Sequence, residues 1–314
     1  MFITLTLNPA IDQTLTVEGD LAIGAVHRVR AETATPGGKG VNVAKMIVAN
    51  GQPVTAGGLL GQEQVSFYMD KLSPLGITCR FLAVPEPTRA NLMITDGHGR
   101  EMKFNRPGFP DLKYDESALS VYVRSLATPG TVAILSGSLP ARFPAETYAR
   151  LIRLFQAAGC ATVVDVSGPA LTAALLEKPD VIKPNREELE HALGLALDSE
   201  SAIRLALDEL MAEHEVVIVS DGAHGAGFAS RGQILFAAPP DVPCVDTTGA
   251  GDTLLGQFCA DYFPARALTP EIAARAVAAG AAAVEQRGTP FISLARILEL
   301  SKRVAPVSSV RSVS

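Results

Sequence analysis

The chain has 314 residues, of which 47% are hydrophobic, and it carries a formal net charge of −6 at pH 7. These values fit a soluble globular protein with one large or two moderate domains. The mildly acidic balance, without a dense basic run, argues against a nucleic-acid surface as the main function, so we expect small substrates. The four cysteines form no C-x-x-C pair, which indicates neither a zinc site nor a disulfide framework and fits a reducing cytoplasm. We expect no signal peptide, because residues 1–7 lack a basic stretch and have the pattern of a strand. We also expect no membrane segment, since the most apolar later run, residues 272–284, is too short to span a bilayer.

The first third of the chain combines a buried strand and a helix with a second type of strand. Residues 2–7 form an apolar β-type run, and residues 40–50 have helical spacing that Gly51 terminates. Four segments alternate polar and apolar residues, as strands with one exposed face do: 14–17, 26–33, 88–95 and 100–105. We therefore predict that these four segments form a small sheet beside the main body.

From residue 53 onward, apolar strand-like segments alternate with helical ones. The predicted strands are 54–60, 132–135, 162–166, 181–183 and 216–220. The predicted helices are 63–75, 116–126, 145–158, 169–177, 187–193 and 201–213, followed by closing helices at 272–286 and 293–302. This alternation predicts an α/β fold, with a mainly parallel central sheet and helices on both faces. The Val/Ser-rich tail, residues 305–314, is predicted to be disordered.

Small or polar residues follow several of the predicted strands. These segments are 136–138, 165–168, 183–185 and 220–222. Loops after strands are often rich in glycine for steric reasons alone, so each segment by itself is weak evidence. Because ligands bind at the carboxyl ends of parallel strands, the four segments together predict the rim of an active site.

The sequence Asp-Thr-Thr-Gly-Ala-Gly-Asp at residues 246–252 precedes a helix-like run, and we call it the anion-binding loop. Its glycines let the backbone approach an anion closely, and a helix N-terminus adds the positive end of its dipole. Asp252 would then lie close to a transferring phosphoryl group, where a carboxylate can accept the proton of an attacking hydroxyl. The alternative is a tight turn in which Asp252 only caps the helix.

Neither a P-loop nor a Rossmann G-x-G-x-x-G motif after the first strand is present, so another phosphate-binding design is needed. Residues 246–252 resemble the C-terminal signature of the ribokinase-like carbohydrate kinases, the phosphofructokinase B family. Residues 37–44, Gly-Gly-Lys-Gly-Val-Asn-Val-Ala, resemble its N-terminal signature. The segments 6–12, 136–140 and 183–188 are similar to 1-phosphofructokinases and tagatose-6-phosphate kinases, which act on sugars that already carry a phosphate.

The resemblance implies a set of substrate-binding residues. Sugar hydroxyls would contact Asp12, Asn42 and the backbone of Gly37 and Gly38, and Ser138 belongs to the same set. The phosphate already on the sugar would be neutralised by Lys39, Arg89 and Lys103, with Arg106 and Arg28 as further candidates. The alternative for each of these cations is an ordinary solvated surface position.

The resemblance also implies ATP and Mg²⁺ as cofactors. Asp252 would be the catalytic base, and the amides of Gly249, Ala250 and Gly251 would stabilise the charge of the transferring group. ATP would contact Lys183, Asn185, Ser220, Gly222, Gly225, Thr248, Gly249 and Gly251. Magnesium would be held, through water, by Asn185 and Glu188, although Glu188 could instead be an ordinary exposed helix carboxylate. Asp246 is the residue type that ribokinases use near a monovalent cation, so a potassium effect is also compatible with the sequence.

We expect a single ribokinase-like kinase domain over residues 1–304, with a small β lid formed by 12–35 and 84–107. The resemblance implies that the lid closes over the sugar and packs against a second subunit, which predicts a homodimer. The expected reaction is ATP-dependent phosphorylation of fructose 1-phosphate to fructose 1,6-bisphosphate. Tagatose-6-phosphate or fructose-6-phosphate kinase activity and a non-catalytic sugar-phosphate sensor are the alternatives. This chain has Thr248-Gly249 and Asp221 where close phosphosugar kinases usually have Val-Gly and leucine. These differences concern the residues that are expected to bind ATP.

Overall fold

The computed structural model describes residues 1–305 and 307–311. Its strands, numbered in chain order, form two sheets. The main sheet has ten strands: β1 (Phe2–Thr6), β4 (Val54–Gly61), β5 (Thr78–Val84), β8 (Val132–Ser136), β9 (Ala161–Asp165), β10 (Val181–Ile182), β11 (Val216–Ser220), β12 (Ala226–Ser230), β13 (Gln233–Ala237) and β14 (Ser308–Arg311). The small sheet has four strands: β2 (Ala10–Val17), β3 (Val29–Gly37), β6 (Arg89–Thr95) and β7 (Glu101–Phe104).

The α-helices of the described residues are α1 (Lys39–Ala49), α2 (Val65–Leu72), α3 (Glu116–Leu126), α4 (Thr147–Ala157), α5 (Pro169–Leu175), α6 (Arg186–Leu193), α7 (Glu200–Leu210), α8 (Ala250–Ala265), α9 (Pro270–Val284) and α10 (Leu294–Ser301). Helices cover both faces of the main sheet. Phe2 lies in a core shared with α1, α2, α8 and α9, whereas the next residue, Ile3, lies in a core shared with α3 to α7. None of these helices is long and apolar enough to cross a membrane.

The main sheet runs in the order β14-β13-β12-β11-β10-β9-β8-β1-β4-β5. From β5 to β11 all neighbouring strands are parallel, and β12, β13 and β14 add antiparallel strands at one edge. Parallel strands covered on both faces are mainly apolar, and every residue of β1 is buried. The predicted fold class is therefore confirmed, and the carboxyl ends of the parallel strands meet at one edge.

Four strands of the described residues, β5, β12, β13 and β14, are absent from the sequence-based prediction. The sequence of β12, Ala-Gly-Phe-Ala-Ser, has little intrinsic β-propensity, and pairing with two neighbours within a buried sheet decides its conformation. The prediction of a disordered tail over 305–314 is wrong for β14, which pairs antiparallel with β13. A short segment of any composition can join an open sheet edge through its backbone groups. Residues 306 and 312–314 lie outside the described residues.

The four segments predicted to form the small sheet do so, in the order β3-β2-β6-β7, and we call this sheet the lid. Its register gives it two different faces. Leu92 lies opposite Phe104 and Ile94 opposite Met102 on one face, whereas Lys103 belongs to the other face, which is turned towards the anion-binding loop. Since β2 follows β1 directly and β3 leads into α1, both ends of the β2–β3 hairpin are anchored beside the carboxyl ends of the main sheet.

Candidate active site

The anion-binding loop leads into α8, with Gly249 as the N-cap of that helix at φ 77°. A Cβ at Gly249 would lie 2.8 Å from Thr289 Cγ2, so both the left-handed backbone and the close packing require glycine. A Cβ at Gly251 would point towards Lys183 Nζ at 3.4 Å. The first amides of α8 and the positive end of its dipole therefore lie next to an ammonium group, an arrangement that favours an anion.

Asp252 lies in the first turn of α8 and is buried. Its Oδ2 accepts a hydrogen bond from Asn42 Nδ2 of α1 at 2.8 Å, and its side chain makes no capping bond to its own helix. Burial raises the pKa of Asp252 to about 6, against the opposing effect of the nearby Lys39 ammonium group. This geometry argues against the helix-cap alternative, because the carboxylate is directed across the site.

Two lysines converge on one oxygen of Asp165, at the end of β9. Lys39 Nζ lies 3.1 Å and Lys183 Nζ 3.2 Å from Asp165 Oδ1. Burial disfavours the charged form of Asp165, but the two ammonium groups outweigh it and lower the pKa of this carboxyl. The cluster brings together the end of β9, the residue that follows β10 and the first residue of α1. It lies beside Asp252.

Asp12 of β2 and Gly37 at the end of β3 meet next to the start of α1. A Cβ at Gly37 would lie 2.1 Å from Asp12 Oδ2, so a larger residue at position 37 would displace this carboxylate. Asn91 Nδ2 of β6 donates to Asp12 Oδ1 at 3.0 Å. Gly38 is the N-cap of α1 at φ 110°. The predicted sugar-binding residues of the lid and of α1 are therefore contiguous.

Arg89 and Ser138 both lie next to Asn8. The Arg89 guanidinium donates to the carbonyl oxygens of Asn8 (3.1 Å), Pro9 (3.3 Å) and Arg106 (2.6 Å). Ser138 Oγ accepts from Asn8 Nδ2 at 3.1 Å. In this conformation Arg89 joins β6 to the loop after β1, and its phosphate-binding role stays a prediction. Arg28 and Arg106 are exposed.

Lys103 of the lid contacts the anion-binding loop. Its Nζ lies 2.7 Å from Asp246 Oδ1 and 3.0 Å from Glu101 Oε1. Asp246 Oδ1 also accepts from the backbone N–H of Thr248 at 3.0 Å, and its Oδ2 accepts from that of Gly288 at 2.8 Å. These donors lower the pKa of Asp246, although burial opposes them. Lys103, predicted for the sugar phosphate, therefore neutralises a carboxylate of the loop.

Five of the predicted nucleotide residues, Lys183, Asn185, Ser220, Gly222 and Gly225, lie at the ends of β10 and β11 or just after them, whereas Thr248, Gly249 and Gly251 belong to the anion-binding loop. A parallel bridge joins Asn185 to Ser220, so the loops after these strands are adjacent. Gly222 and Gly225 have φ of 53° and 99°, and a Cβ at Gly225 would lie 2.0 Å from the Ala237 carbonyl oxygen. This loop therefore requires glycine at position 225, while a Cβ at Gly222 would meet open space.

Asn185 and Glu188 form a reciprocal capping box at the start of α6. Glu188 N donates to Asn185 Oδ1 at 2.7 Å, and Asn185 N donates to Glu188 Oε2 at 2.9 Å. The other oxygen of Glu188 lies 3.9 Å from Lys39 Nζ, so this carboxylate faces the charged cluster. Among the described residues, no three His, Cys, Asp or Glu side chains are grouped to hold a metal ion.

A family model described as pfkB family carbohydrate kinase matches residues 5–295. The chain belongs to this family. It is 38% identical to the 1-phosphofructokinase of Rhodobacter capsulatus over 255 residues, which are 80% of each protein. The solved structure of phosphofructokinase-2 from Escherichia coli in complex with potassium superposes with a TM-score of 0.88 at 29% identity, covering 96% of this chain and 98% of that one. Ribokinase from Arabidopsis thaliana, complexed with ribose and ATP, gives a TM-score of 0.73 at 20% identity, covering 96% of this chain and 98% of that one.

These comparisons confirm the resemblance and the ribokinase-like fold, and the chain is a carbohydrate kinase. Within the candidate site, the structure brings Asp252, Asn42, Lys39 and Lys183 together and places Asp12 and Gly37 next to them. It keeps Arg89 with Asn8 and Lys103 with Asp246.

Two charged residues of the site, Asp165 and Lys45, are absent from the sequence-based prediction. Asp165 begins the segment 165–168 at the end of a buried strand, and an acidic residue at such a strand end is the signal that could have identified it. Lys45 lies in an otherwise apolar stretch of α1, at a position that the helical spacing buries. A lysine on the buried face of a helix is unusual enough to have marked it.

Proposed function

We propose that this pfkB-family kinase transfers the γ-phosphoryl group of ATP to the 6-hydroxyl of fructose 1-phosphate. The observation that carries the proposal is the buried Asp252 carboxylate at the N-terminus of α8, held by Asn42 and flanked by Lys39. The name of the Rhodobacter capsulatus relative, a 1-phosphofructokinase, supports the choice of substrate. A non-catalytic sensor needs no such base, so retention of this carboxylate favours an enzyme.

In the proposed mechanism Asp252 accepts the proton of the 6-hydroxyl as the phosphoryl group is transferred. The amides of Gly249, Ala250 and Gly251, reinforced by the dipole of α8, stabilise the charge on the transferring group. Lys39 and Lys183 place two ammonium groups beside this position, where they share the Asp165 carboxylate, and Lys39 also lies 3.9 Å from Glu188 Oε1. The sugar would lie between Asp12 and Asn42, and ATP would approach from the loops that carry Ser220, Gly222 and Gly225.

Magnesium fits the oxygen atoms of Asn185 and Glu188. Asn185 Oδ1 and Glu188 Oε2 each accept one hydrogen bond in the capping box. Their remaining lone pairs are free to accept hydrogen bonds from the water molecules of a hydrated ion. When bound, the ion would neutralise part of the charge on the ATP phosphates. Potassium stays a prediction that rests on Asp246, whose two oxygens already accept hydrogen bonds from Lys103, Thr248 and Gly288.

The proposal is tested by ADP release with fructose 1-phosphate, fructose 6-phosphate, tagatose 6-phosphate, free fructose and ribose. We expect the highest kcat/KM with fructose 1-phosphate. A preference for either of the 6-phosphates would support the alternative kinase activity, and a preference for a free sugar would contradict the phosphosugar proposal. Absence of sugar-dependent turnover with every substrate would favour the sensor.

We predict that kcat/KM falls as the pH drops through about 6. Burial raises the pKa of Asp252 to about 6, so the carboxylate that accepts the proton is present above this pH and lost below it. The measurement is the pH profile of direct ADP release from about pH 5 to 8. Enzyme incubated at low pH and assayed at neutral pH controls for unfolding. A flat profile over this range would contradict the assignment of Asp252.

We predict a homodimer that forms through the lid. Its outer face presents Leu92, Ile94, Met102 and Phe104, and Phe104 is 51% exposed. A second subunit would remove this apolar surface from water. Sedimentation velocity is expected to give a dimer at micromolar concentration, and Phe104→Asp should shift the species to a monomer. A wild-type monomer at that concentration would contradict the prediction.

A further inference from the structure

Lys45 of α1 is only 8% exposed and belongs to no ion pair among the described residues. Its Nζ donates to the carbonyl oxygens of Pro36 and Thr289, both at 3.0 Å, and lies 3.5 Å from Asn42 Oδ1. Burying an ammonium group is costly unless its donors are satisfied. Here the three donors of the ammonium group reach the end of β3, the loop after α9 and Asn42.

The contact to Asn42 fixes the orientation of an amide at the reacting centre. An ammonium group can only donate hydrogen bonds, so the Asn42 oxygen faces Lys45 and the amide nitrogen faces away from it. The Asn42 nitrogen donates to Asp252 Oδ2 at 2.8 Å. With the amide rotated by half a turn, an N–H group would face the ammonium group and an oxygen would face the carboxylate.

Lys45 also lies in the field of two carboxylates, Asp12 of β2 and Asp252 of α8. Burial lowers the pKa of Lys45 to about 8, and both carboxylates oppose this shift. The other charged groups that face Asp252 are Lys39, Asp165 and Lys183, and Arg89 faces Asp12. A cation at Lys45 therefore favours the ionised form of both carboxylates.

We propose that Lys45 is a positioning residue for phosphoryl transfer, which holds the Asn42 amide so that its N–H group orients the Asp252 carboxylate. This inference rests on the proposed function of Asp252 as the base. Lys45 acts through Asn42 and does not contact the reacting groups. Lys45 also donates to the carbonyl oxygens of Pro36 and Thr289. These bonds hold the start of α1 against the loop that carries Thr289, the residue on which Gly249 packs.

A double-mutant cycle tests the inference. We expect Lys45→Met to lower kcat for sugar-phosphate-dependent ADP release by about tenfold, the effect of losing one charge-assisted hydrogen bond. Asn42→Ala should lower kcat at least as much. The double variant should lose clearly less than the two single effects combined, because without Asn42 the lysine has no amide left to orient. Lys71→Met, which removes an exposed lysine of α2, is the matched control and should keep wild-type kcat.

The pH profile separates positioning from a merely structural role. Loss of a cation near Asp252 should move the acidic limb of kcat/KM to higher pH in Lys45→Met, whereas Lys45→Arg should retain most of the wild-type profile. If Lys45→Met does not fold, Lys45→Gln replaces it in the double-mutant cycle. Additive effects of the two substitutions, or an unchanged acidic limb, would overturn the inference. A wild-type enzyme without sugar-phosphate turnover would instead overturn the proposed function.

Discussion

Asp252→Asn is expected to lower kcat by roughly 100-fold or more while ATP still binds. Asparagine keeps the size of the side chain and can still accept the hydrogen bond from Asn42, but it cannot take a proton from the acceptor hydroxyl. Steady-state ADP release gives kcat, and equilibrium titration with ATP gives the affinity. The acidic limb that is expected near pH 6 should also disappear in this variant.

The fold of Asp252→Asn should be at least as stable as that of the wild type at about pH 8. Burial raises the folded-state pKa of Asp252, so ionisation above that pKa costs the native state free energy, and an amide removes this cost. Asp70→Asn, at an exposed position of α2, is the matched control and should keep wild-type kcat. If Asp252→Asn kept near-normal kcat, Asp252 would be structural and another group would have to serve as the base.

Gly251→Val is expected to reduce turnover by at least about 100-fold, because misplacing a reacting group by about 1 Å can have an effect of this size. A Cβ at position 251 would approach only Lys183 Nζ, at 3.4 Å, and the backbone there is not left-handed. The valine should therefore be tolerated by the fold, while its methyl groups extend towards Lys183 over the amides of the anion-binding loop.

The matched control is Gly97→Val in the turn between β6 and β7, where an added Cβ would meet open space at a similarly permissive backbone. It should keep wild-type turnover. Circular dichroism and thermal unfolding of both variants show whether they fold. A folded Gly251→Val enzyme with normal kcat would mean that phosphate binds elsewhere.

Gly249 of the anion-binding loop could be predicted from the sequence because part of its constraint is local. Gly249 needs a left-handed backbone at the N-cap of α8, and this requirement can be inferred from the motif alone. The alternation of polar and apolar residues likewise predicted the lid strands, because side chains alternate between the two faces of any strand. Where the local signal is weak, as in β12 and β14, the prediction failed.

The partners of the long charged side chains could not be predicted, because they depend on residues far away in the chain. Arg89 donates to backbone carbonyl oxygens and Lys103 pairs with Asp246, two contacts that no sequence pattern predicts; the phosphate-binding roles of both residues stay predictions. A flexible cation can reach any acceptor within several ångströms, so its motif does not specify which acceptor it finds.

The fold class and the family could be predicted from the sequence, because they depend on periodicity and on contiguous motifs. The same motifs predict the anion-binding loop and the proposed base, which stay predictions. No sequence pattern predicts that Lys39 and Lys183 share Asp165 or that Lys45 contacts Asn42 beside Asp252; these contacts are seen only in the folded chain. These contacts join α1, α8 and loops at the carboxyl ends of separate strands. Their geometry, and the burial that raises the pKa of Asp252, arise only when the sheet assembles.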